Sequence, residues 1–276
     1  MQTARSSASS VNGDNMHPST ISGINSLPYH QKREIYVRLF PQKLLERFHL
    51  TPYLIDKAGN DLLHLLCPPG SSTTEVALRH QANFPDPILY GHITDTLNGQ
   101  LHILLYILND PESPRFDVDR MPDGSPTQFG THCRNLGAEL AALEAGLAPG
   151  QVRRGLRLLG PAIQAFERFV ESLGHDLYFA EPLYYHNAII FERYGFAYEK
   201  GRKLMGRIQA GFGTQGDLLP KLDGSTPFRR LEAANSIRLR SWAVHDGLLG
   251  EPFTDVTMYK RVGHTAGLRT CADCAW

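Results

Sequence analysis

Three arginines surround one glycine in a segment that precedes a predicted helix. Arg153 and Arg154 come directly before Gly155, and Arg157 follows two residues later. The first turn of a helix leaves about four backbone N–H groups unpaired and carries roughly half a positive charge. A glycine at such a turn lets an anion approach the backbone closely. We therefore expect the residues after Pro149 to form a cradle for a diphosphate; a solvated arginine surface is the alternative interpretation.

Histidines and cysteines offer weaker signals. His245 and Asp246 follow Trp242 and are expected either to close over a substrate or to serve packing and capping. Cys271 and Cys274 form a CxxC pair near the end of the sequence. Two sulfur ligands fall short of the four that structural zinc requires, so we expect a frayed tail and no metal site.

The composition narrows the class of protein. Twenty-eight basic residues balance 28 acidic ones, which gives no net field that would favour nucleic acid or an anionic membrane as a partner. Hydrophobic residues make up 42% of the chain, enough for a core, yet no apolar stretch is long enough to span a bilayer. The amino end lacks the apolar region of a signal peptide, and four cysteines do not make a disulfide framework. The expected location is a reducing cytoplasm.

The order of predicted elements indicates a mixed α/β fold. Residues 1–24 are rich in Ser, Asn and Gly and are expected to be a disordered leader. A helical arm is predicted over 25–50 with a break at Pro41, within a single domain over 25–265 that also carries an insertion at 210–250. Residues 266–276 are expected to be a flexible tail. Strands are predicted around 61–67, 74–78, 88–97, 100–108, 176–180, 196–208 and 256–262, and helices over 162–173 and 185–194.

One hairpin is predicted from its turn. Asn98 and Gly99 suit the positive φ angles of a two-residue type I′ turn, which would place Asp95 opposite His102. That pair is expected to be either an acid–base pair or a cross-strand ion pair. The run Ile103–Leu108 is apolar on both faces, which is typical of a central strand.

Two segments, taken with their order, resemble the GCN5-related N-acetyltransferase (GNAT) superfamily. GNAT proteins carry a strand ending in V-x-P and then a turn Q/R-x-x-G-x-G/A that opens a helix. The segment LAPGQVRRGLRLL over 147–159 is similar, with Gly155 at the first glycine, although Val152 stands where Gln or Arg is usual and Arg157 replaces the last small residue. The segment FERYGF over 191–196 is similar to the family's Y-E-K-x-G-F, and TMYKRV over 257–262 resembles its closing strand. The resemblance covers roughly residues 86–209 and 253–262.

The resemblance implies a twisted, mostly antiparallel sheet of six or seven strands with helices on both faces. Its central strands are expected to splay near Ala148 and Phe179, so that the pantetheine arm of coenzyme A pairs with exposed backbone. The residues implied to contact acetyl-CoA or another acyl-CoA are Leu147, Val152, Arg153, Arg154, Gly155, Leu156, Arg157 and Phe191.

The resemblance also implies the catalytic groups. A backbone N–H of the strand before the proline polarises the thioester carbonyl, and a tyrosine protonates the sulfur. Phe191 occupies that tyrosine's position and cannot donate a proton, so Tyr194 is the candidate, with Tyr184 and Tyr185 as alternatives. Glu139 and Glu144 are candidate bases on the implied strand. Helix propensity alone predicts a helix for this Ala-rich segment, and exposed glutamates are the alternative interpretation.

The expected function is an acyl-CoA-dependent N-acyltransferase that moves an acyl group directly to an amine, without a metal. The expected partners are therefore an acyl-CoA, an amine acceptor and, in a homodimer, a second copy of the chain. The helical arm and the 210–250 insertion are expected to shape the acceptor pocket. Three alternatives remain open: a non-catalytic acyl-CoA-binding module, a GNAT-like thioester decarboxylase or S-acyltransferase, and a partner-binding protein that uses the CxxC pair.

Overall fold

The strands form one open sheet in the order β1-β2-β3-β4-β5-β7-β6. The computed structural model describes residues 18–127 and 133–276. All neighbouring strands are antiparallel except β4 and β5, which are parallel. The strands are β1 (Leu63–Leu66), β2 (Thr73–Leu78), β3 (Leu89–Asp95), β4 (Leu101–Leu108), β5 (Leu177–Ala180), β6 (Ala197–Lys200) and β7 (Thr257–Arg261). The predicted mixed α/β class and strand number are confirmed.

Eight α-helices accompany the sheet in the described part of the chain. They are α1 (Ile21–Asn25), α2 (Tyr29–Tyr36), α3 (Gln42–Arg47), α4 (Leu136–Glu144), α5 (Leu159–Ser172), α6 (Tyr185–Arg193), α7 (Arg202–Gly211) and α8 (Ile237–His245). The helical arm breaks at Pro41 as predicted, because α3 begins at the next residue. None of the helices in the described residues is long and apolar enough to cross a membrane.

The two central strands diverge soon after they meet. Parallel pairing joins Leu101–Ile103 of β4 to Tyr178–Ala180 of β5, and β4 then continues to Leu108. On the other side of β4, Ile103 pairs with Ile93 and Leu105 pairs with His92, so Leu104 is one extra residue. Such a bulge bends a strand and increases its twist. The bend lies where pairing with β5 ends, and it opens a wedge between the two strands.

The resemblance implied that one of the two diverging strands ends near Ala148, and this position is wrong. The parallel strand before the wedge is β4, and residues 137–144 belong to α4 rather than to a strand. Helix propensity predicted this Ala-rich segment correctly. The Asn135 side-chain oxygen also caps the helix by accepting a hydrogen bond from the Ala138 N–H.

The β3–β4 hairpin is confirmed, but its turn differs from the prediction. Thr96 and Gln100 close the turn, and only Gly99 in it has a positive φ, so three residues form the loop. The register moves by one residue, and His102 faces Thr94 instead of Asp95. The Asp95 carboxylate accepts hydrogen bonds from the first N–H groups of α1. The proposed His102–Asp95 pair is wrong.

The ends of the chain are more ordered than predicted where they are described. Ile21 and Ile24 of α1 are fully buried, so the leader does not extend to residue 24; residues 1–17 lie outside the described part. The final segment is docked as well. Ala275 exchanges backbone hydrogen bonds with Asn235 and Ile237, and Cys271 is bonded to Cys274 in a disulfide. Backbone pairing replaces the predicted frayed tail.

The segment after β6 was predicted as strand but is helical. Residues 202–211 form α7, whose Met205 and Ile208 are buried with one-turn spacing. This helix and α8 both belong to the long connection between β6 and β7, residues 201–256. A small second core packs α8 against α4 around the fully buried Trp242, whose indole N–H donates to the Leu147 carbonyl at 2.8 Å.

Candidate functional site

A cavity of about 400 Å³ occupies the wedge between β4 and β5. Its apolar wall is the part of β4 beyond the bulge, and Leu183, Val152 and Phe191 close it from other sides. No strand among the described residues pairs with this stretch of β4 on the β5 side. Backbone N–H and C=O groups along such an edge are available to an extended ligand. The volume and the mainly apolar lining are typical of a small-molecule site.

The loop between β5 and α6 supplies the polar wall. Tyr184, His186 and Asn187 line the cavity together with Glu181. The Tyr184 ring stacks on the His186 ring at 5.7 Å and meets the His245 ring edge-on at 5.5 Å. These aromatic groups come together because α6 begins directly after the short loop that leaves β5.

His186 is held in the neutral state. It is 2% exposed, its Nδ1 lies 2.8 Å from the Ser241 Oγ, and the Asn187 amide nitrogen lies 3.2 Å from its Nε2. Burial lowers the pKa of the imidazole from 6.5 to about 3, and nearby His245 acts in the same direction. An amide donor at Nε2 places the ring proton on Nδ1, where Ser241 accepts it.

Replacing His186 with Gln is expected to flatten the dependence of stability on pH. Between pH 6.5 and pH 3 the unfolded chain binds a proton on this residue that the folded chain does not, so stability falls as the pH drops through that window. The variant should lose a slope of about 1.4 kcal/mol per pH unit near pH 5. Urea unfolding at several pH values measures it. The exposed His64→Gln change is the control, and an unchanged slope in His186→Gln would contradict the assignment.

Tyr184 is fixed by a glycine that leaves room for its ring. A Cβ placed on Gly150 would lie 2.4 Å from the Tyr184 ring and 2.7 Å from its hydroxyl. Gly150 also has a φ of +78°, which side-chain-bearing residues rarely adopt. Burial raises the pKa of the Tyr184 phenol, and the negative charge of Glu139 adds to that effect. The hydroxyl therefore keeps its proton at neutral pH.

The predicted base Glu139 is already engaged. Its carboxylate accepts hydrogen bonds from Arg134 at 2.5 Å and lies 3.0 Å from the His245 Nε2. Burial alone would raise the pKa of Glu139, but the bonds from His245 and Arg134 outweigh it and lower that pKa. Arg134 also binds Asp246, so the group is a buried ionic network behind Tyr184. It positions the aromatic wall rather than offering a free base.

The other two predicted catalytic residues also lie outside the cavity lining. Glu144 ends α4 and forms an exposed ion pair with Arg230. Tyr194 follows α6, and a Cβ on Gly160 would lie 3.3 Å from its ring. The Tyr194 phenol therefore lies over the first turn of α5.

Three of the eight predicted cofactor contacts line the cavity, and five do not. Val152, Arg153 and Phe191 line the cavity, but Arg153 is bound to Asp86 at 2.8 Å and is 9% exposed. Its charge is thus neutralised inside the protein. The remaining five do not line the cavity: Leu147 and Leu156 are buried, whereas Arg154, Gly155 and Arg157 are exposed.

The loop at 150–158 ends where α5 begins. Val152 and Arg154 accept backbone hydrogen bonds from Phe116 and Asp110, so the loop runs beside the segment that follows β4. No side chain in the described part of the chain caps the N-terminus of α5. Pro161 stands in the first helical turn, where its missing N–H costs no hydrogen bond. The predicted placement of this loop at a helix start is confirmed.

Several residues of this site are not predicted by any local sequence pattern. His186 and Asn187 belong to no recognisable motif, and Ser241 lies 55 residues from His186 along the chain. Asp86, the partner of Arg153, is 67 residues away. Tyr184 was only an alternative candidate. A cluster of aromatic and amide residues at the junction of a predicted strand and helix, 184–187, is the feature that could have drawn attention.

Comparisons with protein-family models, curated proteins and solved structures found no match to this chain.

Proposed function

We propose that this chain is an acyl-CoA-dependent N-acyltransferase of GNAT type, with the thioester in the wedge between β4 and β5. The observation that carries the proposal is the open edge of β4 after the bulge. Two parallel strands that pair for three residues and then diverge leave hydrogen-bonding backbone beside an apolar cavity. The pantetheine arm of coenzyme A is extended and contains two amides, which suit such an edge.

The N-terminus of α5 is suited to bind the diphosphate of coenzyme A. The helix is 14 residues long, has no side-chain cap from the residues that the structure describes, and is preceded by exposed Arg154 and Arg157. Its dipole and first-turn N–H groups favour an anion there. The Tyr194 phenol beside Gly160 adds a hydrogen-bonding group at the same place. Arg153 is excluded from this role by its bond to Asp86.

The polar wall offers groups for the transfer step. The amine nitrogen attacks the thioester carbonyl, and the C–S bond breaks. The nitrogen loses one proton, and the departing thiolate gains one and becomes a thiol. Tyr184 lines the cavity and keeps its proton, so its phenol is a donor for the departing sulfur. Both ring nitrogens of His186 are engaged by Ser241 and Asn187 and burial lowers its pKa to about 3, so His186 positions the Tyr184 ring and does not act as a base. Phe191, at the position of the family's tyrosine, cannot take part.

A non-catalytic acyl-CoA-binding module is the second candidate. The favouring observation is Phe191 itself, which lines the cavity and packs on Phe196 with ring centres 4.9 Å apart. This phenyl ring provides an apolar contact for an acyl chain but no proton.

Calorimetric titration with acetyl-CoA, followed by thiol release with a panel of amines, tests the proposal. Binding with amine-dependent release of coenzyme A is the expected result. Binding without release would support the module instead, and carbon dioxide release from malonyl-CoA would support a decarboxylase. Failure to bind any acyl-CoA would contradict both leading candidates.

A further inference from the structure

The disulfide between Cys271 and Cys274 closes a ring of four residues near the end of the sequence. The two sulfurs differ in their surroundings, since Cys271 is 3% exposed and Cys274 is partly exposed. Cysteine pairs with this CxxC spacing include the redox-active pairs of disulfide oxidoreductases. The pair is therefore a candidate for reversible reduction, provided that its surroundings stabilise the reduced form.

A buried guanidinium lies beside one of the two sulfurs. Arg240 of α8 is 4% exposed, and its Nη1 lies 3.1 Å from the Cys271 Sγ. The same guanidinium donates hydrogen bonds to neutral oxygens of Gln209, Ala233 and Ala234. These partners satisfy its N–H groups but leave its positive charge in place. A nearby arginine charge stabilises a thiolate, so the site favours Cys271 as the leaving group when the S–S bond opens.

The same ring holds a segment that reaches the wall of the candidate site. The Ala275 carbonyl accepts a hydrogen bond from the Ile237 N–H at the start of α8, and the Ala275 N–H donates to the Asn235 carbonyl. The Trp276 ring then meets the His186 ring edge-on, with ring centres 6.1 Å apart. His186 lines the first cavity. The disulfide is thus connected to the candidate site through two residues of chain and one aromatic contact.

We infer that Cys271 and Cys274 are a site of reversible thiol–disulfide exchange with a dithiol, and that reduction releases Trp276 from His186. Opening the ring returns conformational freedom to the last residues, which backbone hydrogen bonds of Ala275 then hold less firmly. This inference does not depend on the proposed acyltransferase function.

The exchange proceeds in two steps. A thiolate of the dithiol attacks the Sγ of the more exposed Cys274, the S–S bond breaks, and Cys271 leaves as a thiolate beside Arg240. The second thiolate of the dithiol then attacks its own sulfur in the mixed disulfide and releases Cys274. The dithiol is oxidised to a disulfide, and the protein gains two electrons and two protons.

Titration of the full chain with dithiothreitol, without denaturant and without any acyl-CoA, tests the inference. Alkylation and mass spectrometry count the thiols, and NMR measures amide exchange at Ile237, whose N–H donates to Ala275. We expect two additional thiols in the folded protein and at least about tenfold faster exchange at Ile237 after reduction. A pair that stays oxidised until the protein unfolds would overturn the inference. Reduction that leaves the exchange at Ile237 unchanged would overturn it as well.

Two double variants assign the response to this pair. Cys271→Ser/Cys274→Ser cannot form the disulfide, so it should show the fast Ile237 exchange without reductant and no further response to dithiothreitol. Cys67→Ser/Cys133→Ser removes the two free cysteines and should respond as the unaltered chain does. A response of Cys271→Ser/Cys274→Ser to dithiothreitol, or loss of the response in Cys67→Ser/Cys133→Ser, would contradict the assignment.

Tryptophan fluorescence reports the release of Trp276 itself. The chain has two tryptophans, and the other, Trp242, is fully buried. Reduction should shift the emission to longer wavelength, because the Trp276 ring leaves His186 for solvent. The variant Trp276→Phe should lose this shift while its disulfide is still reduced. An equal shift in Trp276→Phe, or no shift in the unaltered chain, would show that Trp276 is not released.

Discussion

Replacing Gly150 with Ala is expected to destabilise the protein by about 3 kcal/mol or more and to displace the Tyr184 ring. Alanine at a left-handed φ costs about 1–2 kcal/mol. The added Cβ would also lie 2.4 Å from the Tyr184 ring, which is held by His186 and His245 and cannot move freely. The clash therefore adds to the backbone cost. Urea unfolding monitored by circular dichroism measures the change.

Gly124 provides the matched control for that prediction. Its φ is +85°, close to the +78° of Gly150, but a Cβ there has no neighbour within 4 Å among the described residues. Gly124→Ala should therefore cost only the backbone term of about 1–2 kcal/mol. Measured in a Tyr184→Ala background, Gly150→Ala should likewise cost only this backbone part, because the clash partner is gone. Equal costs at positions 124 and 150 would show that the Tyr184 contact is unimportant.

Filling the wedge with Leu105→Trp is expected to reduce acetyl-CoA affinity at least about 100-fold, a loss of about 2.7 kcal/mol. Leu105 is the first residue after the bulge and lines the cavity, so an indole there occupies space assigned to the thioester. Packed interiors accommodate extra volume poorly. Calorimetric titration with acetyl-CoA measures the effect.

Two further tryptophan variants make the result interpretable. Leu97→Trp places the same side chain on the exposed hairpin loop and should leave affinity unchanged. Leu183→Trp enters the cavity from the β5–α6 loop, at a residue that is 37% exposed and therefore tolerant of change. It should weaken binding as Leu105→Trp does. Full affinity in both cavity variants would place the ligand elsewhere.

Local patterns predicted much of the fold. Apolar spacing gave α5, and Gly174 beyond its end has the positive φ expected of a helix terminus. The apolar run at 103–108 gave the central strand β4. Helix propensity gave α4 correctly, whereas the motif resemblance made the same residues a strand. Local signals succeeded where the structure depends on neighbours along the chain.

The site depends on pairings that sequence spacing does not reveal. The bulge at Leu104 arises from the register between β3 and β4, and a three-residue turn in place of two changes that register. Glu139 is a buried ionic partner of His245, which lies 106 residues away. A glutamate at this position is a candidate base from its residue type, but in the fold its carboxylate is already bound. Arg153 has the residue type of a phosphate ligand, but its guanidinium is bound to Asp86. Distant partners decide the role of each charged residue here.

Amide hydrogen exchange of the complete protein, with and without acetyl-CoA, tests the central claim most directly. The edge of β4 from Leu104 to Leu108 lacks a strand partner toward β5 among the described residues, so a bound pantetheine arm should slow exchange there. We expect added protection in this stretch and in the first turn of α5. Binding of acetyl-CoA that leaves exchange in β4 unchanged would contradict the account.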